Sequence, residues 1–109
     1  MKSKNIKNNH LSFNEQCYAL LMKIPKGKIT TYKALANALN TKAYQAVGNA
    51  MANNPNPINV PCHRVVNSNG AIGNYAFGIE RKIDLLESEG VSTENGKIVA
   101  FKKLLFTFN

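Results

Sequence analysis

At 109 residues with 44% apolar content, the chain is one domain's worth of sequence and can bury a single core without disulfide staples. Fourteen Lys and Arg against six Asp and Glu give a formal charge of +8, and no carboxylate occurs between Glu15 and Glu80, which leaves Lys23, Lys26, Lys28, Lys33, Lys42 and Arg64 uncompensated. That balance suits a polyanionic partner or a generally basic proteome better than an acidic small molecule, while the lack of any apolar run near ~18 residues excludes a membrane span, Met1–Ser12 lacks the apolar segment of a secretory signal, and Cys17 and Cys62 are too few for a disulfide framework.

Residues 1–12 read as a flexible basic tail ahead of a domain over 13–109. Ser12 with Glu15 three residues later forms a capping box, so a helix is expected to start at Phe13, with Phe13, Cys17, Leu20, Leu21 and Ile24 on one face. Pro25-Lys26-Gly27 ends it. Thr30 or Thr31 caps a second helix carrying Tyr32, Leu35, Ala36 and Leu39. A short link at Asn40-Thr41 leads to a third helix over 42–52, with Ala43, Ala46, Val47, Ala50 and Met51 on its inner side. Two short helices joined this tightly, the second small-sided, predict a helix-turn-helix, although many helical bundles share the pattern.

Asn53-Asn54-Pro55-Asn56-Pro57 is barred from helix and is expected as a fixed loop. The stretch 58–66 is β-branched at both ends and predicts a very short β element around the second cysteine. Residues 67–78, with Gly70, Gly73 and Gly78, read as a long loop. Ile79, Ile83 and Leu86 mark a fourth helix with Gly90 as its C-terminal stop. The segment 91–109 is expected to be extended or partly ordered, with enough apolar surface to dock on the body. The fold class is therefore mainly α.

Cys17 lies on an apolar helical face and reads as a small buried hydrophobe. Cys62 sits between Pro61 and His63, outside any helical stripe. The thiolate is the reactive form of cysteine, and a nearby His and Arg both favour it, so Cys62 is either a nucleophile or a structural residue. Adjacent residues of an extended chain face opposite sides, so His63 need not touch Cys62 directly. One Cys-His pair without a second pair at ligand spacing does not make a zinc site.

Pro61-Cys62-His63-Arg64-Val65 resembles the active-site motif of the O6-alkylguanine-DNA alkyltransferases, the methylated-DNA–protein-cysteine methyltransferases. Ile24-Pro25-x-Gly27 with Thr31-Tyr32 is similar to the start of that family's helix-turn-helix. Ala46-Val47-Gly48-x-Ala50-Met51 and Asn54-Pro55-x-Pro57-Ile58 resemble its recognition helix and the loop before the cysteine. Gly70, Gly73-Asn74-Tyr75, Gly78 and Lys82-x-x-Leu85-Leu86-x-x-Glu89-Gly90 are similar to the segment after it. The resemblance runs from about Phe13 to Gly90 and covers the family's C-terminal domain, a winged-helix-like DNA-binding unit.

The resemblance implies that Cys62 accepts an alkyl group from guanine O6 irreversibly, once per molecule. It implies that His63 takes the thiol proton through a water, that Glu89 holds His63 in the useful tautomer, and that Asn54 ties the turn to the active-site strand. Arg64 reads as structural. The target atom lies inside a duplex, so the base must be flipped out. Tyr32 would hydrogen-bond guanine N3, main-chain carbonyls at Cys62 and Val65 would read the exocyclic amine, Tyr75 and Ala76 would form a lid, and Met51 would wall the pocket. Thr31, Tyr32, Lys33, Gln45, Ala46, Gly48 and Asn49 would meet DNA from the minor groove. The implied partner is double-stranded DNA containing O6-alkylguanine. No cofactor, metal or membrane is implied, and a monomer in the cytoplasm near the nucleoid, or in the nucleus of a eukaryote, is expected.

Three departures from the family pattern matter. Gln45 stands where an arginine finger is usual, which implies weaker capture of duplex lesions. Phe77 replaces a glycine beside the lid and is expected to narrow the pocket toward methyl adducts. The smaller N-terminal domain of most members is expected to be lacking, and the length resembles the alkyltransferase-like proteins, which bind alkylated guanine without repair and usually carry Trp at the cysteine position. A repair alkyltransferase, a lesion-binding protein and a small helix-turn-helix regulator therefore compete. Cys62, His63 and Glu89 together favour the first.

Overall fold

In the computed structural model, residues 11–108 are described, so the expected tail lies almost entirely outside them. Helix α1 spans Phe13–Leu21. Both halves of its capping box form: the Ser12 hydroxyl accepts from the Glu15 N–H at 3.1 Å, and the Glu15 carboxylate accepts from the Ser12 N–H at 2.9 Å. Cys17 and Leu21 point from α1 into the core. Gly27, at φ +91°, makes the reversal that follows.

Strand β1, Thr30–Thr31, runs directly into helix α2, Tyr32–Ala38. Of the two threonines, Thr31 is the cap; its hydroxyl accepts from the Ala34 N–H at 3.0 Å. Helix α3 spans Tyr44–Ala52 and starts two residues later than the expected Lys42. The Thr41 hydroxyl accepts from the Ala43 N–H at 3.1 Å, and this local turn holds Ala43 outside the helical region. Ala43 is accordingly exposed, not inward-facing, while Val47, Ala50 and Met51 are buried. Helices α2 and α3 pack against each other, and α1 closes over α3.

The cysteine motif is not a continuous strand. Cys62–Arg64 forms one 3-10 turn, followed by strand β2 at Val65–Val66. Strand β2 pairs parallel with β1, Thr30 opposite Val65 and Thr31 opposite Val66. Successive strand residues face opposite ways, and this pair divides the interior. Val65 joins Cys17, Leu21, Ile24, Leu35, Val47, Ala50 and Cys62 on the helix-turn-helix side. Val66 joins Ile29, Ile72, Leu86, Val91 and Ile98 on the other.

Helix α4, Ile79–Ser88, ends in a Schellman motif. The Val91 N–H donates to Leu86 O at 2.9 Å and the Gly90 N–H to Glu87 O at 3.0 Å, with Gly90 at φ +88°. Buried Val91 and Leu86 share the second core. The segment 91–108 is ordered more fully than expected. Strands β3, Thr93–Glu94, and β4, Lys97–Ile98, pair antiparallel across Asn95-Gly96, both at positive φ. An Asn-Gly pair is the strongest short hairpin signal in a sequence. Helix α5, Phe101–Leu104, leads to Leu105, which bridges parallel to Ile29. The Phe106 N–H donates to Ile29 O at 2.7 Å, so the chain end extends the small sheet. No helix among the described residues is long and apolar enough to cross a membrane.

Leu21 is fully buried in the first core, whereas the adjacent Met22 is 61% exposed. Leu21→Ala is expected to cost about 2–5 kcal/mol, and Met22→Ala within about 0.5 kcal/mol of zero. Chemical denaturation of the two variants checks the direction of α1.

Candidate active site

Cys62 is the first residue of the 3-10 turn and is only 4% exposed. Its position is set from the loop before it. The Asn54 amide donates to Val60 O at 2.8 Å, and the Asn54 side-chain oxygen accepts from the Asn56 N–H at 3.0 Å. The Asn-Pro loop is thereby clamped two residues ahead of the thiol. Burial pushes the Cys62 thiol above its ordinary 9.0, against the pull of the Asn54 hydrogen bond and the Lys82 charge. Cys62 therefore rests as a thiol at neutral pH and needs a base to react as thiolate.

Such a base stands next to it in the chain. His63 is buried and its Nε2 lies 3.0 Å from Glu89 Oε2. A neutral imidazole facing a carboxylate carries its proton on that nitrogen, which leaves Nδ1 as an acceptor. Nδ1 is buried and has no hydrogen-bond partner among the described residues. Burial holds His63 below its ordinary 6.5, with Glu89 opposing that shift. His63 is thus neutral at pH 7, with Nδ1 unprotonated and able to accept a proton.

Glu89 sits at the C-cap of α4, fixed there by the Schellman turn. Its two oxygens accept three hydrogen bonds: Arg64 Nε at 2.9 Å on one, Arg64 Nη2 at 2.7 Å and His63 Nε2 at 3.0 Å on the other. Arg64 also donates through Nη1 to Ile24 O at 2.7 Å. Arg64 is therefore compensated, contrary to its place among the uncompensated cations, and in line with its structural reading it braces the link after α1. Burial alone would raise the Glu89 carboxyl, but the hydrogen bonds from Arg64 and His63 outweigh it and hold it below its ordinary 4.5.

Lys82 is a site residue that sequence reasoning placed only within a motif. It is fully buried, and its ammonium donates to Val65 O at 2.7 Å and Asn74 O at 2.9 Å. One cation thus joins the strand after Cys62 to the loop that carries Tyr75. Burial lowers its pKa from 10.5 to about 8, so it remains charged at neutral pH. The available signal was a lysine at i+3 and i−4 from Ile79 and Leu86, on the apolar face of α4.

A cavity of about 730 Å³ opens on Cys62, within the size range of small-molecule sites. Its walls are Tyr32, Met51, Tyr75 and Ala76, with Gln45, Gly48 and Asn49 from α3. All seven were expected at a site. Tyr44, Ala52, Asn67, Gly73 and Asn74 also line it and were not anticipated. Burial raises the Tyr32 phenol above its ordinary 10.0, with the nearby Cys62 adding to the shift, so it stays a donor. The Tyr75 ring meets His63 edge-on at 6.4 Å, and its hydroxyl is 3.4 Å from Pro57 O. Gly48 has nothing within 4 Å of where a side chain would start, so no internal contact demands glycine in mid-helix.

Several expected contacts fall elsewhere. Thr31 is 5% exposed with its hydroxyl engaged as a cap, and it does not line the cavity. Val65 is fully buried and its carbonyl already accepts from Lys82. Ala46 is half-buried off the cavity wall. Lys33 is exposed and lines a second cavity of about 520 Å³ with Ser68 and Asn69. Phe77 does not narrow the pocket: it is 57% exposed, lies off the wall, and packs edge-on against Tyr75 at 5.7 Å. Among the described residues no group of three or more His, Cys, Asp or Glu is placed to hold a metal ion.

The scaffold and the site together define a helix-turn-helix domain whose cavity ends on a thiol backed by a histidine–glutamate pair. Residues 12–91 match the family model for the DNA binding domain of 6-O-methylguanine DNA methyltransferase, and the chain belongs to this family. It is 51% identical over 85 residues to a methylated-DNA–protein-cysteine methyltransferase of Thermococcus gammatolerans, covering 77% of this chain and 48% of that one. The Mycobacterium tuberculosis OGT structure in complex with DNA superimposes with a TM-score of 0.70 at 39% identity, over 72% of this chain and 50% of that one. S. pombe Atl1, in complex with damaged DNA containing O6-carboxymethylguanine, gives a TM-score of 0.75 at 30% identity, over 88% of this chain and 95% of Atl1. The chain spans about half or less of the length of the curated relatives it matches.

Glu89→Gln leaves half-buried Arg64 without a counter-charge and is expected to destabilise the protein at neutral pH by about 3 kcal/mol. Because the folded carboxyl titrates below 4.5, this contribution is complete above that pH and is lost as acid protonates Glu89 in the folded state. The gap between wild type and variant in denaturant titrations therefore closes as pH falls below 4.5. Lys82→Met removes the cation that favours the Cys62 thiolate. It is expected to raise the pH midpoint of Cys62 alkylation by iodoacetamide by about one unit.

Proposed function

We propose that the protein is a DNA repair alkyltransferase that accepts O6-alkylguanine, chiefly O6-methylguanine, flipped from duplex DNA, and transfers the alkyl group irreversibly to Cys62. The observation that carries this reading is the thiol at the end of an aromatic-walled cavity, with a neutral His63 held by Glu89 behind it. In the reaction His63 Nδ1 takes the thiol proton by way of a water. The Cys62 Sγ–carbon bond forms as the carbon–O6 bond breaks, and guanine leaves. Tyr32 gives a proton to guanine N3, so the leaving group departs neutral. The thioether has no route back, and each molecule acts once.

Tyr75 and Ala76 close over the base, Met51 supports it, and the main-chain N–H of Ala76 faces O6. The carbonyls of Cys62 and Val65 read the exocyclic amine; the Val65 oxygen keeps a lone pair beyond the one directed at Lys82. Asn54 serves as a positioning residue through Val60. Helix α3 meets the minor groove with Gln45, Ala46, Gly48 and Asn49, and Lys33 adds a salt-dependent phosphate contact. The absence of carboxylates from the lining of both cavities supports a polyanionic partner. The protein acts as a monomer in the cytoplasm near the nucleoid, or in the nucleus of a eukaryote.

A second reading, lesion binding without repair, has one observation in its favour: the fold spans 95% of Atl1. The buried Cys62 with its own base favours transfer over mere binding. The two readings separate when the protein is incubated with an oligonucleotide carrying O6-methylguanine and its intact mass is measured. The expected result is a gain of one CH2 group that Cys62→Ala abolishes. Unchanged mass with tight lesion binding would favour the second reading.

A further inference from the structure

Tyr44 has no role in the chemistry above, yet it occupies an unusual place. It is the first residue of α3 and is 43% exposed, a large aromatic ring held in solvent. It lines both the cavity that ends on Cys62 and the second cavity beside Lys33, Ser68 and Asn69. It therefore stands on the ridge between the pocket and a polar, cationic hollow. One and two turns further along α3 the same face carries Gly48 and Ala52, both on the pocket wall and both nearly bare. Tyr44 is thus the large side chain on an otherwise low helix face. Its hydroxyl makes no hydrogen bond among the described residues, and no carboxylate lines either cavity to repel a phosphate chain.

A pocket that accepts a flipped nucleotide leaves a hole in the base stack, and proteins that distort duplexes often fill such a hole with an inserted side chain. The filler must stand at the mouth of the pocket, project from the surface and offer a face on which bases stack. Gln45 lines the pocket alone and has no aromatic face. Phe77 is more exposed, but it lines neither cavity and its ring is engaged with Tyr75. Tyr44 meets each requirement. We propose that the Tyr44 ring enters the duplex at the position vacated by the alkylated guanine and stacks on the base pairs left behind, an inference that rests on the alkylguanine reading.

The test measures equilibrium binding in a Cys62→Ser background, which prevents transfer. The probes are a duplex carrying O6-methylguanine, the same strand without its complement, and an unmodified duplex. Tyr44→Ala is expected to weaken binding to the lesion duplex about tenfold and to the single strand less than about twofold, while Tyr44→Phe stays within about threefold of the parent on both. Equal losses on duplex and single strand would make Tyr44 a wall for the flipped base and overturn the proposal. Undiminished lesion-duplex binding by Tyr44→Ala overturns it as well. A parent protein that binds lesion and unmodified duplexes equally overturns the alkylguanine reading itself, and the stacking role with it.

Discussion

The half-buried carboxylate of Glu89 is the constraint on which the site depends. It lies at the end of α4, held by the Schellman turn through Gly90 and Val91, and it accepts from two consecutive residues of the cysteine motif. A bidentate guanidinium cannot bind a carboxylate from an arbitrary direction. Arg64 therefore fixes the carboxylate plane, and that plane in turn fixes His63. The remaining Arg64 nitrogen reaches back to Ile24 O, so one ion pair ties the end of the first helical segment, the 3-10 turn and α4 together. Buried ion pairs contribute weakly to net stability because desolvation offsets attraction. The value of this one is geometric: it selects the Nε2–H tautomer and leaves Nδ1 as an acceptor.

A second buried charge acts on the other side of the thiol. Lys82 has no carboxylate partner; two main-chain carbonyls satisfy it. Those carbonyls belong to β2 and to the loop carrying Tyr75, so the ammonium ties that loop to the strand after Cys62. Its charge also opposes the burial that raises the Cys62 pKa. The site thus keeps the Cys62 thiol protonated at rest, with a neutral imidazole next to it in the chain and a cation whose charge favours the thiolate. The β1–β2 pair sends Val65 to one core and Val66 to the other, and Cys62 packs with Val65 in the first.

Local chemistry was the most legible part of the molecule. The Ser12–Glu15 box, the cap at Thr31, the Pro-bounded loop and the glycine stop at Gly90 each depend on residues within a few positions, and each occupies the place its residue types dictate. The hairpin at Asn95-Gly96 was equally legible but masked by strands of two residues, too short to show alternation. The start of α3 slipped because Thr41 formed its own turn, a competition that composition does not resolve. Phe77 and Thr31 were misplaced for a related reason: a neighbour in sequence to a site residue need not face the site.

By itself the sequence determined the boundaries of the first four helices to within about a turn, the mainly α class, the Pro61–Val65 motif and a span free of carboxylates from Gln16 to Ile79, but not the last helix at Phe101–Leu104. Only the tertiary structure decided which charges in and around that span are available. Arg64 is spent on Glu89 from 25 residues away, and Lys82 is withdrawn from solvent altogether, so the cationic surface of the described residues is left to the other lysines and Arg81. Long-range packing also decided that Tyr44, unremarked in the chain, stands on the rim of the cavity while Thr31 lies beneath it. The physical reason is the same in each case. Helix caps and turns are satisfied by near neighbours, whereas burial, ion pairing and the walls of a cavity are made by residues that only the fold brings together.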